Sequence, residues 1–264
     1  MKTQKNIIDQ RRPIIMANWK LNGDIDLLCK SVSSFVKHAY LAEVVVCPPY
    51  LYIRDMLNFL RNSPIKVGGQ NISKHDSGAF TGETSARMLK EAGCRYCIVG
   101  HSERREIFGE NNISCQIKIT RALEANLTPV YCIGESQNEY EQGLTEQVLS
   151  HQLREALEGI DLTNKNLCIA YEPVWAIGTG KAATPEIAQT THAYIRKELC
   201  EMYGAEVADT IRIMYGGSVN KTNAHLMLEQ ADVDGLLVGG ASLDPEHFSE
   251  ICRSAEETAK GVCL

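Results

Sequence analysis

Residues 167–185 read LCIAYEPVWAIGTGKAATP and contain a strand, a loop and the start of a helix. The apolar run 167–172 predicts a buried β-strand whose last residue is the carboxylate Glu172. Thr184-Pro185 then supplies an N-cap residue followed by proline at the first helical position. The stretch therefore predicts one strand followed by one helix, with a charged group where the strand ends.

The same arrangement recurs along the chain. The runs are almost continuously apolar rather than alternating, as is typical of parallel strands that helices cover. Helical signals lie between them, including an apolar stripe at Leu28, Val32, Phe35 and Val36 and a second capping pair at Asp244-Pro245. The eight predicted strands are residues 14–18, 43–47, 65–70, 96–100, 128–133, 167–172, 211–215 and 235–238.

Eight strand-then-helix units predict an α/β protein. A chain of 264 residues is long enough for a single (β/α)8 barrel, and no Pro/Gly/Ser-rich linker divides it into two domains. We expect residues 13–264 to form this barrel and residues 1–12 to be a polar tail. A doubly wound parallel sheet is the alternative fold.

Composition narrows the class of protein. A formal net charge of −6 gives no general attraction for nucleic acid or for an anionic membrane, although a local positive site could still bind a small anion. The first twelve residues lack the apolar core of a signal peptide, and no run approaches the roughly 18 apolar residues of a membrane span. These features favour a cytoplasmic protein.

The ten cysteines do not have the pattern of a disulfide scaffold. Cys47, Cys97, Cys132 and Cys168 lie in apolar runs of a large chain, which favours reduced, buried thiols. The pair Cys94 and Cys97 has CxxC spacing, but neither a second CxxC nor a nearby histidine accompanies it. We expect no metal site and no redox role.

Polar residues are concentrated where the predicted strands end. In a barrel the carboxyl ends of all strands meet on one face, where active sites are built. The residues placed there are Asn18, Lys20, the segment from His101 to Arg104, Glu172, the segment from Gly216 to Ser218, and Gly239-Gly240.

Several of these residue types have a clear chemical use. Glu172, followed by the proline-led and glycine-containing segment 173–181, is consistent with a base and a closing lid, or with a salt-bridged strand end and an ordinary loop. Lys20 could stabilise an anion, and His101 could polarise a carbonyl oxygen as a neutral imidazole. The GG pairs could present N–H groups to a phosphate, although an isolated pair is usually a turn. Arg104 and Arg105 are more typical of ion pairs than of nucleic-acid binding.

Together these segments resemble the triosephosphate isomerase family. The resemblance covers essentially residues 13–255. It rests, in order along the chain, on Asn18-Trp19-Lys20, Val99-Gly100-His101-Ser102-Glu103-Arg104-Arg105, Ala170 to Lys181, Tyr215-Gly216-Gly217-Ser218 and Gly239-Gly240.

The resemblance implies a cofactor-free and metal-free isomerase of glycolysis and gluconeogenesis. It would interconvert dihydroxyacetone phosphate and D-glyceraldehyde 3-phosphate through an enediolate. A short helix beginning at Ser102 would depress the pKa of His101, and Glu103 would be a buried partner of Lys20. The implied catalytic residues are Glu172, His101 and Lys20; the substrate-binding residues are Asn18, Lys20, Gly178, Ser218, Gly239 and Gly240; the supporting residues are Glu103, Cys132, packed under Glu172, and Tyr215.

The segment 70–83 resembles the family's long interdigitating loop, which implies a homodimer formed through Gly78 to Glu83 with Thr81 reaching toward the partner's active site. From the residues alone it could equally be a self-contained surface loop. Two other functions remain as alternatives. One is a phosphate-binding barrel isomerase acting on a larger sugar phosphate or a phosphoribosyl compound, and the other is a non-catalytic barrel that serves as a scaffold or interaction protein.

Overall fold

The computed structural model describes residues 11–176 and 183–261, with side chains as far as residue 256. Within these residues eight strands form one closed barrel, in which each strand runs parallel to both of its neighbours. The strands are β1 (Ile14–Asn18), β2 (Glu43–Cys47), β3 (Lys66–Gly69), β4 (Tyr96–Val99), β5 (Thr128–Ile133), β6 (Cys168–Tyr171), β7 (Arg212–Tyr215) and β8 (Gly235–Val238).

Helices connect the strands and surround the barrel. Short 3₁₀ turns at Val174–Ala176 and Gly240–Leu243 follow β6 and β8. The α-helices are α1 (Ile25–Phe35), α2 (Tyr50–Phe59), α3 (Ala86–Ala92), α4 (Ser102–Phe108), α5 (Asn112–Glu124), α6 (Gln137–Glu141), α7 (Thr145–Leu157), α8 (Pro185–Tyr203), α9 (Ala205–Ala208), α10 (Ala224–Leu228) and α11 (Pro245–Gly261).

Alternation along the strands builds two apolar layers. In β1, Ile14 and Met16 belong to the cluster inside the barrel, whereas Ile15 and Ala17 pack in the larger layer between strands and helices. Since both faces of each strand are covered, the strands are apolar at almost every position. At the amino ends of the strands, Arg212 and Glu43 form an ion pair of 2.6 Å.

The fold prediction is confirmed. The bounds of β1, β2, β5 and β8 match the predicted runs, and the other strands are one or two residues shorter than predicted. Thr184 caps α8 with Pro185 at its first turn, and the Asp244 carboxylate accepts from the first N–H groups of α11. The inclusion of Val36 in the apolar stripe was wrong. It caps the end of α1 and is 51% exposed, because the helix stops before completing another turn toward the core.

The first described residues are attached to the barrel. Arg11 lies 3.3 Å from Asp234, and the Arg12 guanidinium donates to the main-chain oxygens of Leu41 and Ala42. Residues 1–10, the greater part of the predicted tail, lie outside the described residues. Among the described helices, none is both long and apolar enough to cross a membrane.

Candidate active site

A cavity of about 230 Å³ opens at the carboxyl ends of the strands. It brings together residues from both ends of the chain that were predicted separately. Among the residues that the structure describes, all those predicted to be catalytic or substrate-binding line it. The lining residues are Asn18, Lys20, His101, Glu172, Gly216, Gly217, Ser218, Val219, Leu237, Gly239, Gly240 and Ala241.

Glu172 follows β6 directly and is only 2% exposed. Its main-chain N–H donates to the Ile133 carbonyl at 2.7 Å. One carboxylate oxygen lies 3.0 Å from His101 Nε2, and the other accepts from the Ser102 N–H at 2.9 Å. Burial by itself would raise the pKa of Glu172, but His101, the Ser102 N–H and Lys20 together hold it below its ordinary value. The group is therefore an ionised carboxylate at neutral pH.

Gly216 makes room for this carboxylate. A Cβ at position 216 would lie 2.9 Å from Cγ of Glu172 and 3.2 Å from the Tyr171 carbonyl oxygen. The first glycine of the Tyr215-Gly216-Gly217-Ser218 motif is thus needed beside the Glu172 carboxylate as well as beside a possible anion.

His101 is the N-cap of α4 and is also buried. Its Nδ1 accepts from the Glu103 N–H at 3.2 Å, while Nε2 faces Glu172. Burial lowers the pKa of His101, but the adjacent Glu172 carboxylate outweighs this and raises it, contrary to the depression expected from the helix start alone. Because the Glu103 N–H donates to Nδ1, a proton on Nδ1 would be unfavourable. A single ring proton, on Nε2, satisfies both of these contacts.

Lys20 adopts a left-handed backbone conformation with φ of 53°, which is unusual for a residue with a side chain. Two contacts hold it: its N–H donates to the Asn18 side-chain oxygen at 3.1 Å, and its carbonyl accepts from the Gln70 side chain at 2.9 Å. Its ammonium lies 2.6 Å from Glu103. The predicted pairing with Glu103 is confirmed. The prediction that Glu103 is buried was wrong for this chain, because the first turn of α4 leaves its side chain 43% exposed at the rim of the barrel.

The glycines after β8 leave one end of the cavity open. A Cβ on Gly240 would meet no atom within 4 Å, and Gly240 begins the 3₁₀ turn after β8. A Cβ on Gly239 would lie 3.5 Å from Cε of Lys20. The Ser218 hydroxyl donates to the Ala176 carbonyl at 2.6 Å, so its proton is already used. Main-chain N–H groups beside Lys20 are therefore the available donors for an anion.

The residues on either side of segment 177–182 are tied to the barrel. Before the segment, Trp175 donates to Glu135 at 2.8 Å, and the Tyr171 hydroxyl donates to the same oxygen at 3.0 Å. After it, the Ala183 N–H donates to the Tyr215 hydroxyl at 3.1 Å. Gly178, predicted to bind substrate, and most of the predicted lid lie outside the described residues.

Cys132 is fully buried on β5, and both it and Glu172 line a second cavity of about 340 Å³. Burial and the nearby Glu172 carboxylate raise the pKa of the Cys132 thiol well above its usual range. An unreactive packing role for this thiol is therefore favoured. Cys94 and Cys97, the CxxC pair, are also buried free thiols.

Arg104 forms the predicted ion pair, at 2.8 Å from Glu110. Arg105 instead donates to the Gly100 carbonyl at 2.8 Å and to the Tyr131 hydroxyl at 3.0 Å. Both guanidinium groups are thus engaged within the protein.

Sequence reasoning did not identify three contributors to the site. Gln70, after β3, holds the Lys20 carbonyl, and the main-chain N–H of Ser102 binds the Glu172 carboxylate. Glu135, after β5, is fully buried, and burial raises its pKa despite hydrogen bonds from Trp175 and Tyr171. The position of Gln70 and Glu135 just beyond strand ends was the signal that could have found them.

Known proteins resemble this chain along almost its full length. The family model described as Triosephosphate isomerase matches residues 13–255. The chain is 48% identical over 248 residues to the triosephosphate isomerase of Halorhodospira halophila, covering 94% of this chain and 99% of that protein. It is 45% identical over 250 residues to the one from Nitrosococcus oceani, covering 93% and 99%. For Dehalococcoides mccartyi the identity is 47% over 248 residues, covering 93% and 97%.

Proposed function

The chain belongs to the triosephosphate isomerase family, and we propose that the cavity around Glu172 is where it carries out the family's reaction. The protein interconverts dihydroxyacetone phosphate and D-glyceraldehyde 3-phosphate, a step of glycolysis and gluconeogenesis. The observation that carries the site assignment is a buried, ionised carboxylate facing a cavity that also holds a lysine, a histidine and glycine N–H groups.

Glu172 is the base. The reaction removes a proton from one carbon of the substrate and returns it to the neighbouring carbon, so a single carboxylate can carry out both transfers. The low pKa of Glu172 keeps it ionised, and its contacts with His101 and Ser102 hold it at the cavity wall until substrate enters. Substrate oxygens would then take over the His101 Nε2–H.

His101 and Lys20 stabilise the enediolate. A neutral imidazole donates through Nε2 to the oxygens on which negative charge develops. Lys20 contributes a fixed positive charge, and Asn18 and Gln70 hold its main chain in the conformation that places it there. Both groups are in place before the reaction, so little reorganisation accompanies charge development.

The glycine end of the cavity binds the phosphate. Gly239, Gly240 and Ser218 offer main-chain N–H groups near the Lys20 ammonium, and we include Gly178 by its place in the family motif. This arrangement puts the phosphate at one end of the site and the reacting carbons beside Glu172.

The size of the cavity favours a triose phosphate over a larger sugar phosphate. At about 230 Å³ it is smaller than the 300–1,000 Å³ typical of drug-sized ligands.

The test is a coupled assay of glyceraldehyde 3-phosphate isomerisation with Glu172→Gln beside the parent protein. The amide has the same length but cannot accept the proton, so we expect turnover to fall by about 10³-fold or more while the protein stays folded by circular dichroism. Turnover of the variant within tenfold of the parent would remove Glu172 from the role of base.

We also propose a homodimer formed through the loop from Gly78 to Glu83. In the single chain this loop is exposed, with Phe80 stacked on His75 at 3.7 Å and still 43% exposed. Aromatic residues are enriched at interfaces, and this exposed one lies in the segment that resembles the family's interdigitating loop. Light scattering should give twice the chain mass, and a monomer mass at micromolar concentration would contradict the proposal.

A cytoplasmic location is proposed as well. Nine cysteines are free thiols in the part of the chain that the structure describes, which is typical of a reducing compartment.

A further inference from the structure

Gln152, on α7, holds the main chain of Gly134 at two points. The Gly134 N–H donates to the Gln152 side-chain oxygen at 2.8 Å, and the Gln152 side-chain nitrogen donates to the Gly134 carbonyl at 3.1 Å. The side chain thus binds both polar groups of one residue in the manner of a neighbouring strand. No step of the reaction described above uses this contact.

Gly134 is the residue that follows β5, and it lies directly against Glu172. A Cβ at position 134 would lie 1.7 Å from the Glu172 carbonyl oxygen and 2.6 Å from its carbonyl carbon. The φ angle of Gly134 is not in the left-handed region, so backbone conformation does not by itself favour glycine here. The close approach to Glu172 is what requires a glycine. Since the neighbouring Ile133 carbonyl accepts from the Glu172 N–H at 2.7 Å, the end of β5 fixes where the Glu172 main chain lies.

Gln152 is itself held in place. Its main-chain carbonyl accepts from the Tyr131 hydroxyl at 2.8 Å, and Tyr131 accepts from Arg105 at 3.0 Å. The helix position that carries the side chain is therefore fixed relative to β5. Few rotamers of Gln152 can make both hydrogen bonds with Gly134, so the two bonds together fix the position of the Gly134 main chain.

A cavity lies next to the contact between Gln152 and Gly134. The cavity of about 340 Å³ that borders Glu172 is also lined by Gly134 and Gln152. A tightly packed neighbourhood would hold Gly134 by sterics alone, whereas a cavity leaves room for it to shift. The hydrogen bonds of Gln152 therefore carry much of the restraint.

We propose that Gln152 is a positioning residue for the isomerisation, acting on Glu172 through the main chain of Gly134. The inference rests on the proposed role of Glu172 as the base. Gln152 does not touch the substrate cavity. It holds the Glu172 carboxylate at a fixed distance from the reacting carbons. Turnover is sensitive to changes of an ångström or less in that distance.

The test compares Gln152→Met with Gln189→Met. Gln189 on α8 makes a similar two-point contact, with the N–H and the carboxylate of Asp232 at 3.0 and 2.8 Å, but Asp232 precedes β8 at the opposite end of the barrel. Both substitutions remove two hydrogen bonds with a side chain of similar length. We expect Gln152→Met to lower kcat by about tenfold with KM within twofold, and Gln189→Met to leave both unchanged.

A role in stability alone would give a different result. Melting temperatures would then fall in both variants, while kcat measured well below melting would stay within twofold of the parent. That result, or an equal loss of kcat in Gln189→Met, would overturn the proposal.

Gln152→Glu gives an independent readout if the methionine variant does not fold. A neutral carboxyl can donate to the Gly134 carbonyl as the amide does, whereas a carboxylate cannot. At pH 8, where a glutamate side chain is ionised, its kcat should therefore lie about tenfold below that of the parent, and a kcat within twofold of the parent would contradict the proposal. Glu172→Gln, assayed in parallel, separates the two claims. An active Glu172→Gln refutes the base, whereas an inactive Glu172→Gln with a fully active Gln152→Met refutes only the positioning role.

Discussion

Replacing Glu172 with aspartate tests how closely the proposed base must be placed. The substitution keeps a carboxylate but shortens the side chain by one C–C bond, or about 1.5 Å. The main chain cannot follow, because the Glu172 N–H is bound to Ile133 at 2.7 Å and its carbonyl lies against Gly134. The carboxylate would therefore withdraw from the cavity by about an ångström, and would leave His101 Nε2 and the Ser102 N–H, now at 3.0 and 2.9 Å.

A displacement of this size has a calculable cost. Misplacing a reacting group by about 1 Å costs about 10²-fold in rate, equivalent to about 2.7 kcal/mol of activation free energy. The effect on folding is smaller, since the loss of one buried methylene costs about 1 kcal/mol. The increase in activation free energy should therefore exceed the decrease in the free energy of unfolding.

The measurement is kcat in both directions of the reaction, with circular dichroism and urea unfolding on the same samples. Both directions should fall by about the same factor, near 10²-fold, because one carboxylate serves both proton transfers. A kcat within threefold of the parent in a folded variant would refute the reasoning. So would a loss confined to one direction, because it would indicate two separate bases.

Three further perturbations follow from the same geometry. Lys20→Ala and Lys20→Gly should both lower kcat/KM by about 10²-fold or more, while glycine at the left-handed position should be about 1 kcal/mol more stable than alanine in urea unfolding. Equal stability would indicate an unstrained backbone. Gly216→Ala should lower kcat by about tenfold with KM less affected, because its Cβ displaces Cγ of Glu172, and an unchanged kcat would contradict the close contact. His192 is fully buried, and burial lowers its pKa to about 4. Below its unfolded pKa near 6.5 the unfolded chain binds a proton that the folded protein excludes, so stability should fall by about 3 kcal/mol between pH 6.5 and 4. His192→Leu should lose that part of the slope in urea unfolding, and an identical slope would contradict it.

Much of the barrel could be predicted from the sequence, because a strand that is buried on both faces appears as a short, continuous apolar run. β1, β2, β5 and β8 were bounded correctly, since each is a short apolar run that ends at or next to a polar or turn residue. Val36 was misplaced because apolar spacing does not show where a helix stops.

The candidate site residues were predicted as residue types at strand ends, but their arrangement was not predicted. Contacts such as Ser102 with Glu172, 70 positions apart, depend on barrel closure rather than on local pattern. The left-handed backbone of Lys20 is held by a local contact with Asn18 and a distant one with Gln70, and the distant contact depends on the fold. The exposure of Glu103 depends on which way the first turn of α4 faces, which spacing alone does not determine.

Closure of the barrel also has a consequence for synthesis of the chain. β1 pairs with β2 soon after it is made, but its other edge pairs with β8, which begins at Gly235. At about 5–20 residues per second, a ribosome takes roughly ten to forty seconds to travel from one strand to the other. During that interval the second edge of an apolar strand has no partner within the chain, which makes it a template for association between nascent chains. A ribosome-bound chain that stops before Gly235 should therefore aggregate or recruit chaperones, whereas release of the full chain should end that exposure.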